Sequence, residues 1–107
     1  MLEKYTKLCP MLITQDLVGG KWKLLILWYL KNDKLRFSEL QRLLPDVTRK
    51  MLTQQLRALE KDLLVHRYVH PVVPPKVEYS LTKDGLALVP ILKQMCDWGE
   101  QYYDNHS

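Results

Sequence analysis

Between Phe37 and Leu81 two short helical patterns are followed at once by a proline-bearing pair of strand patterns, an order that few folds accommodate. Phe37-Ser-Glu-Leu-Gln-Arg-Leu-Leu-Pro45 reads as a short helix and its stop. Ser38 is the expected cap, with Gln41 three residues on completing a capping box, and Leu40, Leu43 and Leu44 are expected to point inward. Pro45-Asp-Val47 makes a tight connection. Thr48 then caps a second helix that runs to Glu60. Leu52, Leu56 and Leu59 form its inner stripe, with Met51 beside them, while Lys50, Thr53, Gln54 and Arg57 fall on the opposite side and Arg49 flanks them. Val65 to Leu81 reads as two strands around a tip at Pro74-Pro75-Lys76. A helix for the major groove beside a basic hairpin is the layout of a duplex DNA-binding module, with the helix-turn-helix at 38–60 and the hairpin at 65–81.

The flanking segments supply the rest of a core. A loose arm from Thr6 becomes a helix near Pro10, and Leu12, Ile13, Leu17 and Val18 are expected to share its buried side before Gly19-Gly20 ends it. Lys21 to Leu30 is a second, central helix, with Trp22, Leu25, Ile26 and Tyr29 at helical spacing. Leu35-Arg-Phe37 is expected as a short strand that pairs with the later hairpin. Thr82 caps a last helix carrying the stripe Leu86, Val89, Leu92, Met95, Cys96, Gly99 and Tyr103, which Pro90 is expected to bend or divide. So long a stripe exceeds what a small core can cover, so the region 82–104 reads either as a dimerisation helix or as a helix folded back on its own subunit.

Size and charge agree with a DNA partner. A chain of 107 residues, 47% hydrophobic, suits one domain, so residues 1–107 are read as a single unit. Lys21 to Lys76 holds 12 Lys/Arg against 5 Asp/Glu, a net +7, whereas the remainder is net −3. The positive excess therefore sits where the helix-turn-helix and hairpin lie. Cys9 and Cys96 are too few for a disulfide framework, and the scattered histidines do not suggest a metal site, so no metal or cofactor is expected. No secretory signal or membrane span is read, and a cytoplasmic location is the expectation. No nucleophile, base or carboxylate pair has the fixed spacing of a catalytic motif, so the chain is not read as an enzyme.

Several ordered motifs then carry a resemblance: Cys9-Pro10, Val18-Gly-Gly-Lys-Trp-Lys-Leu-Leu-Ile-Leu-Trp28, Arg36-Phe-Ser-Glu-Leu40, Lys50 to Glu60, Val73-Pro-Pro-Lys-Val-Glu-Tyr-Ser-Leu-Thr82 and Cys96-Asp-Trp-Gly99. Over about residues 8–99 the chain resembles the HxlR-type family of bacterial winged-helix transcription regulators, in the MarR-like superfamily. The resemblance implies a mainly α fold with a small β-hairpin, a winged helix-turn-helix that dimerises through its N- and C-terminal helices. It implies a homodimer that binds a pseudo-palindromic operator, often as a repressor. Leu12, Ile13, Leu17, Leu92, Met95, Trp98, Tyr102 and Tyr103 become the interface candidates.

The resemblance also draws attention to the cysteine before proline, which in some relatives senses oxidants or electrophiles. Cys9 is thus either a redox sensor, with Cys96 as a resolving partner across subunits, or a small hydrophobe buried at the dimer interface. An unknown small effector or oxidant is a corresponding partner. One departure stands out: relatives commonly place glycine after the aspartate beyond the second helix, where this chain has Lys61-Asp-Leu63-Leu64, so the connection there is expected to be tighter, shifted or strained.

For the DNA contacts themselves, Lys21, Lys23, Arg49, Lys50, Arg57 and Lys76 are expected near phosphates, together with Thr48 and the amides at its helix start. Gln54 and Arg57 are expected at base edges, supported by Thr53 and Lys50. Arg67 and His70 approach the backbone if strand register allows, whereas Val65, Val69 and Tyr79 pack the module. The competing reading is a winged-helix protein-interaction or architectural module without specific operator recognition. RNA is disfavoured because no aromatic single-strand platform is evident.

Overall fold

The computed structural model describes residues 9–107; the expected arm from Thr6 lies outside them until Cys9. The element order is α1 (Pro10–Val18), α2 (Lys23–Tyr29), α3 (Phe37–Leu43), α4 (Arg49–Lys61), β1 (Val65–His70), β2 (Lys76–Leu81) and α5 (Lys83–His106). Five helices and a two-stranded antiparallel hairpin make a winged helix-turn-helix. Ile26, Leu27, Leu40, Leu52, Leu56 and Leu59 are fully buried, so α2, α3 and α4 close one core, which Val65 and Leu92 seal from the hairpin and α5. Burying each such side chain stabilises the fold by about 1.5–3 kcal/mol before conformational entropy is charged.

Several local expectations are corrected. α3 begins one residue before Ser38, with Arg36 in the cap position, because the Glu39 carboxylate accepts the Arg36 amide at 2.8 Å. That early start also shortens the expected strand at 35–37 to a single bridge, in which Leu35 exchanges both backbone hydrogen bonds with Tyr79. Gln41, freed from capping, donates to the Val47 carbonyl at 2.6 Å and holds the turn between α3 and α4. Leu43, Leu25 and Val69 are exposed, since the core closes around Leu40, Leu44, Ile26, Leu27 and Val65 instead. In α1 only Val18 is buried; Leu12 is exposed and Ile13 and Leu17 are half-buried, because this helix lies at the margin of the core. At its end the left-handed residue is Gly20, with φ of 96°, rather than Gly19, which is extended.

The junction between α4 and α5 positions the hairpin. α4 ends with paired hydrogen bonds from the Leu63 amide to Glu60 and from the Leu64 amide to Leu59, the arrangement that requires a left-handed residue between helix and exit. Leu63 supplies it at φ of 62°, so strain, rather than a shifted helix end, resolves the missing glycine. Thr82 locks the exit from the other side. Its hydroxyl donates to the Leu63 carbonyl at 2.6 Å and accepts the Gly85 amide at 3.1 Å, and its own amide donates to Leu64. Gly85 has no room for a side chain, because a Cβ would lie 2.3 Å from the Leu64 carbonyl oxygen. The base of the hairpin is thereby pinned to the end of α4. α5 runs unbroken through Pro90 for 24 residues, about 36 Å, so the expected division does not occur.

Candidate nucleic-acid interface

α4 is amphipathic in the sense expected. Leu52, Leu56 and Leu59 are buried, which forces Lys50, Gln54 and Arg57 out to solvent one turn apart. The Thr48 hydroxyl accepts the Met51 amide at 3.0 Å and fixes the start of the helix. Thr53 is half-buried and its hydroxyl donates to the Arg49 carbonyl at 2.9 Å, so its own hydrogen is already committed. Arg49 lies over the Phe37 ring, 5.2 Å from its centroid, a cation–π contact that couples α4 to α3.

The hairpin stands beside this face. Its register pairs Arg67 with Tyr79, and both line a cavity of about 450 Å³ with Thr53, Leu56, Arg57 and Glu60. Two arginines from different elements, Arg57 and Arg67, thus border the cleft between α4 and the wing. Lys76 does not stand at the tip as expected. It is the first residue of β2, opposite His70, and the exposed tip is Val73-Pro74. The strand pairing extends that far because Val69 and Val77 continue the ladder. The Lys76 Nζ lies 3.9 Å from a Glu78 carboxylate oxygen, so its charge is partly answered within the wing. His70 is occupied too: its Nε2 meets the other Glu78 oxygen at 2.5 Å. That hydrogen bond, with lesser help from the Lys76 charge, holds the Glu78 carboxyl below its ordinary range against partial desolvation.

Lys21 and Lys23 fall outside the two cavities that flank α4; Lys21 lies over the Trp22 ring, and Lys23 is half-buried in the first turn of α2. Arg36 and Arg42 lie outside the helical periodicity that marks the outer side of α4. Both border a second cavity with Arg49, and their signal in the sequence is the pair of cationic residues at the cap and near the end of α3.

The interface candidates divide. Leu92 is buried within the chain, 5% exposed, because it packs into the core from α5. Met95, Trp98, Tyr102 and Tyr103 are exposed, and from Lys93 onward every side chain faces solvent. Trp98, Tyr102 and His106 stack in succession along this end of α5, with centroids 5.2 and 4.2 Å apart. Cys9 occupies the cap position of α1 before Pro10 and is exposed in the single chain, as is Cys96. Trp22 and Trp28 pack against the core. Among the described residues no cluster of three metal-ligating side chains occurs, and no helix is long and apolar enough to cross a membrane.

Comparisons with known proteins agree with this geometry. The HTH-type transcriptional regulator YdeP of Bacillus subtilis is 52% identical over 96 residues, covering 90% of this chain and 75% of the relative. The redox regulator HypR, solved in its oxidised form, superposes with a TM-score of 0.84 at 52% identity, covering 87% of this chain and 96% of the other. The reduced form of the transcriptional regulator YodB from B. subtilis superposes with a TM-score of 0.81 at 35% identity, covering 92% and 98%. The model of the HxlR-like helix-turn-helix family matches residues 17–107. With the amphipathic α4, the adjoining wing and these likenesses together, the chain belongs to the HxlR-like helix-turn-helix family and is a transcriptional regulator.

Proposed function

We propose that two copies of this chain bind one pseudo-palindromic duplex operator, each placing α4 in the major groove and its wing alongside, and repress transcription from it. The observation that carries this reading is the outward row Lys50, Gln54 and Arg57, fixed from behind by three buried leucines and flanked by Arg67. Gln54 has the two-headed amide that matches adenine, and Arg57 the fork that matches guanine. Arg49 and Lys50 lie at the start of α4, where the Thr48 cap and free helix amides also favour a phosphate. Lys76 contributes less than its charge suggests, because Glu78 shares it.

The test is a fluorescence-anisotropy titration against DNA from the region upstream of the protein's own gene, with excess unrelated duplex present. Wild type is expected to hold the upstream duplex against competitor. Gln54→Ala and Arg57→Ala are each expected to weaken that binding by about 1–3 kcal/mol. Equal binding to both duplexes, unmoved by either substitution, would contradict base reading by α4 and favour an architectural role.

A thiol switch is the second element of the proposal. Cys9 is exposed at the start of α1, and HypR, an identifiable structural relative, is a redox regulator solved in oxidised and reduced forms. Treatment with the thiol oxidant diamide is expected to change DNA affinity in wild type and not in Cys9→Ser. A response that persists in Cys9→Ser would remove Cys9 from the mechanism.

A further inference from the structure

Besides the face of α4, the molecule carries a second concentration of positive charge. Arg36 at the cap of α3, Arg42 near its end and Arg49 at the start of α4 border one cavity of about 520 Å³, whose other walls include Phe37 and, from the wing, Pro75 and Val77. Among the described residues no acidic side chain lines it. Among the described residues none of the three guanidinium groups lies within 4 Å of a carboxylate; the nearby Glu39 is turned to the Arg36 backbone amide. Like charges that share a cavity without counter-charge repel, and an anion between them relieves the repulsion. The walls also differ in kind. Phe37, Pro75 and Val77 offer apolar surface, while the arginines offer planar donors, one of them over the Phe37 ring.

A ligand that fits both is an anion joined to a small apolar ring, and the setting beside the first turn of α4 makes DNA its source. We propose that this cavity seats one phosphodiester of the operator backbone, with its phosphate facing Arg36, Arg42 and Arg49 and its deoxyribose against Phe37, Pro75 and Val77. The proposal rests on the duplex-binding reading above. It adds that the helix-turn-helix and the wing grip the same stretch of backbone from two sides, which fixes the depth at which α4 enters the groove. Because phosphates carry no sequence information, Arg36 and Arg42 supply affinity and register and leave base choice to α4.

The test is the salt dependence of binding by wild type and by Arg36→Ala/Arg42→Ala, measured on the upstream duplex and on an unrelated duplex of equal length. Arg49 is left in place because it packs on Phe37. The variant is expected to lose affinity by the same factor on both duplexes, and the slope of log affinity against log salt is expected to fall by about 2. An unchanged slope, or a loss confined to the upstream duplex, would overturn the proposal. Circular dichroism confirms that the variant is folded, and Arg36→Gln/Arg42→Gln serves if it is not. Failure of the operator reading looks different: wild type would then show no preference between duplexes, while the change of slope would still report the backbone seat.

Discussion

Leu63 is the residue at which the chain departs most from its local physics. A left-handed conformation costs a non-glycine residue about 1–2 kcal/mol, and Leu63 is 60% exposed, so little burial offsets that cost. Leu63→Gly is expected to raise stability by about 1 kcal/mol in urea unfolding, glycine's larger unfolded-state entropy removing part of the gain; a loss of stability would contradict the strain assigned here. The mismatch was legible in the sequence, and its resolution was not, because nothing local shows that Thr82 grips the Leu63 carbonyl from 19 residues away. Glu78 is a second residue whose role only the fold reveals. Its carboxyl is held low mainly by the His70 hydrogen bond, so its contribution to the wing is complete above the usual carboxylate range and is lost as pH falls through its folded pKa. Followed by NMR, Glu78 is expected to titrate lower in wild type than in His70→Ala; equal midpoints would refute the assigned cause.

At the scale of elements, α4 was the most legible part of the molecule. A 13-residue helix with a threonine cap and three leucines at helical spacing leaves one orientation against a core. Leu56→Ala is accordingly expected to cost about 2–5 kcal/mol in the same urea assay, with a loss below 1 kcal/mol contradicting its central place in the packing. Short elements were less legible. Whether Ser38 or Arg36 starts α3 depends on where the Glu39 carboxylate reaches, and the place of Lys76 is not legible because proline pairs mark turns without marking how far the ladder extends. The candidate DNA face followed the same rule: the residues of α4 were found from periodicity, whereas Arg36 and Arg42 join Arg49 only through the packing of α3 on α4 and the wing.

At the scale of the whole molecule, the single chain leaves the end of α5 uncovered. The last 14 residues of α5, from Lys93 to His106, have no buried side chain, yet carry Trp98 at 67% and Tyr103 at 70% exposure. A helical segment of that length is marginal in water without packing, so a second copy covering this aromatic surface is the proposed completion. The N- and C-terminal stripes were legible as apolar faces; their partner was not, since periodicity alone does not tell a core from an interface. Sedimentation at micromolar concentration is expected to show a dimer for wild type and a shift towards monomer for Trp98→Ala/Tyr103→Ala.

Hydroxyl-radical footprinting of the protein on its upstream DNA tests the central claim most directly, since it reads helix, wing and dimer together. The account predicts two protected stretches related by a dyad, their centres about 10 base pairs apart on one face of the duplex, as two α4 helices in successive major grooves require. A single protected stretch, or protection spread evenly along the DNA, would contradict it.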